Sequence, residues 1–79
     1  MPKTLHSARH LLLVELVASA RKRAGLSQAQ VARALGRHQP FIATLESGQR
    51  RIDVVELIEL AEAIGFDPAR VLKKVQKVT

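Results

Sequence analysis

A chain of 79 residues, 47% of them hydrophobic, has material for one small core and too much apolar character for disorder. It contains no cysteine, which excludes disulfides and thiolate metal sites, and no apolar run near the ~20 residues of a membrane span. The net charge of +6 suits a polyanionic partner or a solvated surface, and charge alone does not choose between them.

Residues 1–6 read as a flexible tail and 7–79 as a single domain. The short run Leu11–Val14 is followed by no small-residue cleavage site, so a cytoplasmic, nucleoid-associated protein is expected. The first helix is predicted from Ser7, its cap, to Ala24. Leu13, Val17, Ala20 and Ala24 fall on one face as a core stripe, with Leu12 and Leu16 as a second apolar pair beside it. His6 and His10 are one turn apart, but two histidines without a third ligand make a poor zinc site. They are expected on an exposed helix face, with no metal role.

Gly25 stops this helix, and a second is predicted over Gln28–Leu35. Ser27 caps it and Gln30, three residues on, can cap back. Val31, Ala32 and Leu35 form its apolar side. Gly36 ends it, because glycine adopts the left-handed conformation without steric cost. A third helix is predicted over Gln39–Ser47, with Pro40 in its first turn, Ile42 and Leu45 facing inward, and Gly48 closing it. Two short helices joined this tightly make a helix–turn–helix.

Asp53 and Glu56 have the spacing of a capping box for a fourth helix ending at Ile64 before Gly65. Leu57, Leu60, Ala61 and Ile64 point inward there, and Glu56, Glu59 and Glu62 toward water. Asp67 and Pro68 start a fifth helix, whose apolar side is Val71, Leu72, Val75 and Val78. No segment alternates as a strand. The fold class expected is all-α with five short helices.

The charge is unevenly placed. Residues 1–52 carry nine Lys or Arg against two Glu, whereas residues 53–79 carry four basic against five acidic residues. The half with the helix–turn–helix therefore holds all the positive excess. No catalytic constellation is present: no glycine-rich phosphate loop, no cysteine nucleophile, no carboxylate pair in an apolar setting. Neither an enzyme nor a cofactor is expected.

The segment SQAQVARALGRHQPFIATLESG at 27–48 resembles the helix–turn–helix of the Xre family, the phage repressor and Cro type of DNA-binding protein. The likeness rests on GLSQ at 25–28, Ala32, LG at 35–36, Ile42, Leu45 and the E-S-G at 46–48. The run LIELAEAIGFDP at 57–68 is similar to the family's fourth helix and following turn. The resemblance spans roughly residues 13 to 72 and implies a compact, lambda-repressor-like domain.

It also implies roles. The second helix of the motif would enter the major groove, with Gln39, Pro40 and Thr44 where the family contacts bases. A glutamine amide can bond adenine N6 and N7 together, worth roughly 1–3 kcal/mol of discrimination. Capping the third helix is the other role open to Gln39. Arg37 replaces a customary apolar residue and would meet a base or a phosphate. His38 would cap the third helix or bond phosphate. Phe41 would press on the groove or tuck into the core. Gln28, Ser47, Gln49, Arg50 and Arg51 would contact phosphate, and Arg21 would pair with Glu46 to tie the first helix to the third.

One reading helix spans few base pairs, so a homodimer on a palindromic operator is expected. Ile58, Phe66, Leu72, Val75 and Val78 are its candidate interface, and Leu12 with Leu16 the rival surface. The function expected is a sequence-specific regulator of transcription, in the first place a repressor binding double-stranded DNA. The alternatives are an antitoxin repressing its own promoter, a restriction-modification controller, and a protein–protein module on the same scaffold. A toxin or an antirepressor is the possible protein partner. RNA is disfavoured, since Phe41 and Phe66 are the only aromatics available for stacking.

Overall fold

In a computed structural model, which describes residues 7–78, five helices follow in the order α1 (Ala8–Arg23), α2 (Gln28–Ala34), α3 (Gln39–Glu46), α4 (Val54–Ile64) and α5 (Pro68–Gln76). The expected tail lies outside the described residues, as does His6. The helices begin where the capping chemistry says. Ser7 Oγ accepts the His10 N–H at 3.1 Å, and Asp67 accepts the Ala69 N–H at 2.9 Å. Both capping boxes close: Ser27 with Gln30 on α2, and Asp53 with Glu56 on α4. α3 begins differently. His38, not Gln39, holds the cap position, and its side chain makes no capping bond.

α2 ends at a turn where Gly36 takes φ 69°, and α4 ends on Gly65 at φ 98°. An L-residue is disfavoured in that left-handed region, so the chain reverses at glycine. α2 packs on α3 across the first of these turns, while α1 runs beside α5 and also touches α3 and α4. Ile42, Leu45, Leu60, Val17 and Val31 are the largest fully buried side chains. They come from all of the first four helices, so the inner face of α3 is anchored in the shared core.

Three expectations about burial change. Ala24 is exposed rather than part of the stripe, because α1 ends one residue before it and no other helix lies over it. Val14 is buried in its place. Glu56 is buried rather than wet, and His10 is buried rather than exposed. Each has a polar partner that removes the cost of burial. The His10 ring Nε2–H donates to the Gly48 carbonyl at 3.3 Å, joining the start of α1 to the end of α3. Arg9 similarly donates to the carbonyls of Val78 and Gln76, joining the same end of α1 to the end of α5. Among the described residues, no helix is long and apolar enough to cross a membrane.

Candidate nucleic-acid interface

The amphipathic pattern of α3 sets its orientation. Ile42 and Leu45 go into the core, and Phe41 packs half-buried against it. The opposite side then has nothing over it: Gln39, Pro40, Ala43, Thr44 and Ser47 are all exposed. Arg37 and His38, in the turn before α3, and Gln49 and Arg51, after it, are exposed as well. An eight-residue helix is about 12 Å long, and an α-helix is about as wide as the major groove of B-DNA. The presented side therefore has the dimensions of a groove-reading element, with cations at both of its ends.

The end of α3 is held by one carboxylate. Arg21 Nε donates to Glu46 Oε2 at 2.6 Å and Arg21 Nη2 to Glu46 Oε1 at 2.9 Å, while Nη1 donates to the Leu26 carbonyl at 2.8 Å. Gln28 Nε2 adds a bond to Glu46 Oε1 at 3.0 Å. Burial by itself would push the Glu46 carboxyl upward, but the bonds from Arg21 and Gln28 outweigh it and hold the group below its ordinary value of 4.5. Arg21 is raised in turn, first by its hydrogen bond to Glu46. One carboxylate thus ties α1, α2 and α3 together. The Gln28 amide nitrogen braces α3 here, instead of pointing freely toward a phosphate.

The start of α3 is fixed by a second cluster that sequence reasoning missed. Arg50 donates to both oxygens of Glu56, at 3.1 and 2.9 Å, and its guanidinium lies 4.8 Å from the centre of the Phe41 ring. Arg37 lies 4.3 Å from the same ring. Glu56 Oε1 also accepts the Asp53 N–H at 3.1 Å. Burial pushes the Glu56 carboxyl upward, and the bonds from Arg50 and Asp53 more than reverse this, leaving it lowered. The resemblance implied that Arg50 is a phosphate contact. The structure instead engages its guanidinium on Glu56 and Phe41, where it braces the turn carrying Arg37. Spacing alone marked Glu56 as a capping residue; a basic residue six positions before it was the remaining signal. Ser47 also bonds locally, its hydroxyl donating to the Thr44 carbonyl at 2.7 Å.

The predicted pairing residues differ in exposure. Ile58 and Leu72 are exposed at 45% each, whereas Phe66, Val75 and Val78 are half-buried, Phe66 against the core. Leu12 and Leu16 are half-buried too. Val54 and Val55, at the start of α4, are exposed at 68% and 64% and were not anticipated. Among the described residues, no group of three or more His, Cys, Asp or Glu could hold a metal ion.

A tight helix pair with an uncovered second helix defines the class: a helix–turn–helix protein. Residues 12–72 match the model of the family described as Helix-turn-helix domain. The chain is 40% identical to an XRE-family like protein from Pseudomonas syringae pv. tomato str. DC3000, a structural match with TM-score 0.85 over 94% of this chain and 90% of that one. It is similar to the restriction-modification controller protein C.AhdI from Aeromonas hydrophila at 26% identity and TM-score 0.73, covering 82% of this chain and 98% of that chain. The clp gene regulator ClgR from C. glutamicum shares the fold at 21% identity and TM-score 0.79, over 90% of this chain and 92% of that one. No curated protein matches. The chain belongs to the XRE family of helix–turn–helix DNA-binding proteins, regulators of transcription.

Proposed function

We propose that this protein is a repressor that binds a palindromic operator as a homodimer. The observation that carries the reading is the bare outer side of α3, with Gln39, Pro40 and Thr44 uncovered between exposed Arg37 and Arg51. Gln39 reads an adenine edge, Thr44 meets a thymine methyl or a phosphate, and Pro40 contributes shape. Arg37, stacked on Phe41, presents an oriented guanidinium to a base or the adjoining backbone. His38, Ser47, Gln49 and Arg51 form the phosphate-contacting set, with Gln28 on Glu46 and Arg50 on Glu56 as positioning residues. These contacts set register without reading sequence.

Pairing through α4 supports two-fold reading. Val54, Val55 and Ile58 are exposed on its first turns, next in the chain to the proposed phosphate-contacting loop. Leu72 is the remaining exposed member of the predicted set. The likeness to a restriction-modification controller protein favours one second reading, a controller of that kind.

The test is fluorescence anisotropy with DNA from upstream of the protein's own gene, beside scrambled DNA, across a salt series. Log affinity should fall with log salt at ~0.9 per neutralised phosphate. Gln39→Ala should narrow the operator-to-scrambled ratio by about 1–3 kcal/mol. Arg51→Ala should weaken both DNAs alike and lower the salt slope by about one unit, and Arg50→Ala should leave that slope unchanged. Equal binding of the unaltered protein to both DNAs would overturn the reading.

A further inference from the structure

An open trough of about 580 Å³ runs between the second half of α1 and the start of α5, and no residue of α2 or α3 lines it. Leu16, Ala20 and Ala24 follow one another along α1 at four-residue steps and form one wall. Phe66 and Val71 face them. This is where Ala24 is left exposed and Leu16 half-buried: the apolar coverage of α1 extends past what the other helices cover. Arg23, Arg70 and Lys74 border the same trough, and the side chain of none of them forms a hydrogen bond or ion pair with another described residue. The single acid there, Asp67, is the cap of α5.

We propose that this trough receives an acidic amphipathic helix of a partner protein. The two steps from Leu16 to Ala24 span about 12 Å, two turns of a helix. Helix-in-groove recognition uses apolar anchors at that periodicity. The small side chains of Ala20 and Ala24 permit a close backbone approach. The three uncompensated cations match a flank of carboxylates, the complementarity that orients an encounter and rejects the wrong partner. DNA does not fit as occupant, because the wall is apolar and lies away from the reading helix. A second copy fits poorly as well. The chain's own exposed acidic helix face, Ile58, Glu59 and Glu62 on α4, would dock onto a different surface of its neighbour, a head-to-tail contact that does not close into a pair.

The probe is a fluorescein-labelled Leu/Glu amphipathic peptide of about three helical turns, with a Leu/Lys peptide of the same pattern as its counterpart. The full chain should bind the Leu/Glu peptide saturably and the Leu/Lys peptide at least about tenfold more weakly. The Arg23→Glu, Arg70→Glu double variant should reverse that preference, and Lys74→Glu alone should shift it the same way. All three residues are exposed and off α3. The melting temperature and the operator-to-scrambled ratio of the variants should therefore stay unchanged, and failure here would leave the DNA reading standing. Equal binding of both peptides, or a preference untouched by charge reversal, would overturn the proposal. So would a charge reversal that alters the mass of the chain in solution, since the occupant would then be a second copy.

Discussion

Glu46 and Glu56 do opposite things to burial and charge from what their residue type suggests. Each is a carboxylate on or beside α3, where a free negative charge would repel phosphate. Each is instead neutralised by an arginine: Arg21 at one end of α3, Arg50 at the other. The Arg21–Glu46 pair is about nine-tenths shielded from solvent, so losing one partner would strand a buried charge. Glu46→Gln should therefore lower stability by ~3–5 kcal/mol near neutral pH. The lowered carboxyls also set an acid limit. The unfolded chain takes up protons around the ordinary value of 4.5, before the folded chain does, so the stabilisation is complete above that value and is lost as pH falls through the lowered ones. Thermal unfolding followed from about pH 7 to about pH 3 should show the midpoint dropping in the acid range, and Glu46→Gln should flatten that drop. A midpoint independent of pH in the unaltered protein would contradict the pairing. The Arg21–Glu46 tie was legible through the family resemblance. The Arg50–Glu56 tie was not, because a charged residue at a helix start reads equally well as solvated.

At the scale of elements, α3 is the helix with the weakest start. Three of the others have a side-chain oxygen capping bond plus either a second capping partner or a proline at the first position, and α1 has its serine. α3 is eight residues long, with a histidine at its cap that bonds nothing there. Its stability thus comes from Ile42 and Leu45 in the core and from the two ion-paired clusters at its ends, since helices this short are marginal in isolation. His38→Ser would supply the missing acceptor to the first turn. It should raise stability by about 0.5–1 kcal/mol, read as a higher melting temperature. If His38 contacts phosphate, the same variant should also weaken operator and scrambled DNA alike. No gain in melting temperature would mean that the first turn of α3 is already satisfied in another way. The helix boundaries themselves were readable to within a residue or two, because capping boxes, Pro68 and the glycines at 25, 36, 48 and 65 act locally.

At the scale of the whole molecule, the surface divides into three regions: the outer side of α3 with its flanking cations, the exposed valines and Ile58 of α4, and the cation-bordered trough beside α1. A dimer pairing through α4 makes one direct prediction. Ile58→Asp would place a charge in that apolar contact while leaving the core intact, since Ile58 lies outside it. Sedimentation should then show a shift from dimer to monomer, with operator affinity falling by about tenfold or more and the melting of the monomer little changed. A dimer unaffected by this substitution would move the interface to another surface.

The residues alone determined the five helices, their order and most of the inward-facing residues of each. These depend on periodicity, caps and turn chemistry, all of which act within a few positions of one another. They also determined that the positive excess belongs to the half bearing the motif, which is a matter of counting. Only the tertiary structure decided which of those cations are available. Arg37 and Arg50 meet on one aromatic ring because α2, α3 and α4 converge there, and Arg50 meets Glu56 only because the loop after α3 folds back onto α4. Burial of His10 and exposure of Ala24 likewise depend on what lies across from α1, namely the Gly48 carbonyl in one case and an open trough in the other. Contacts between positions distant along the chain are set by packing, and packing leaves no local pattern to read.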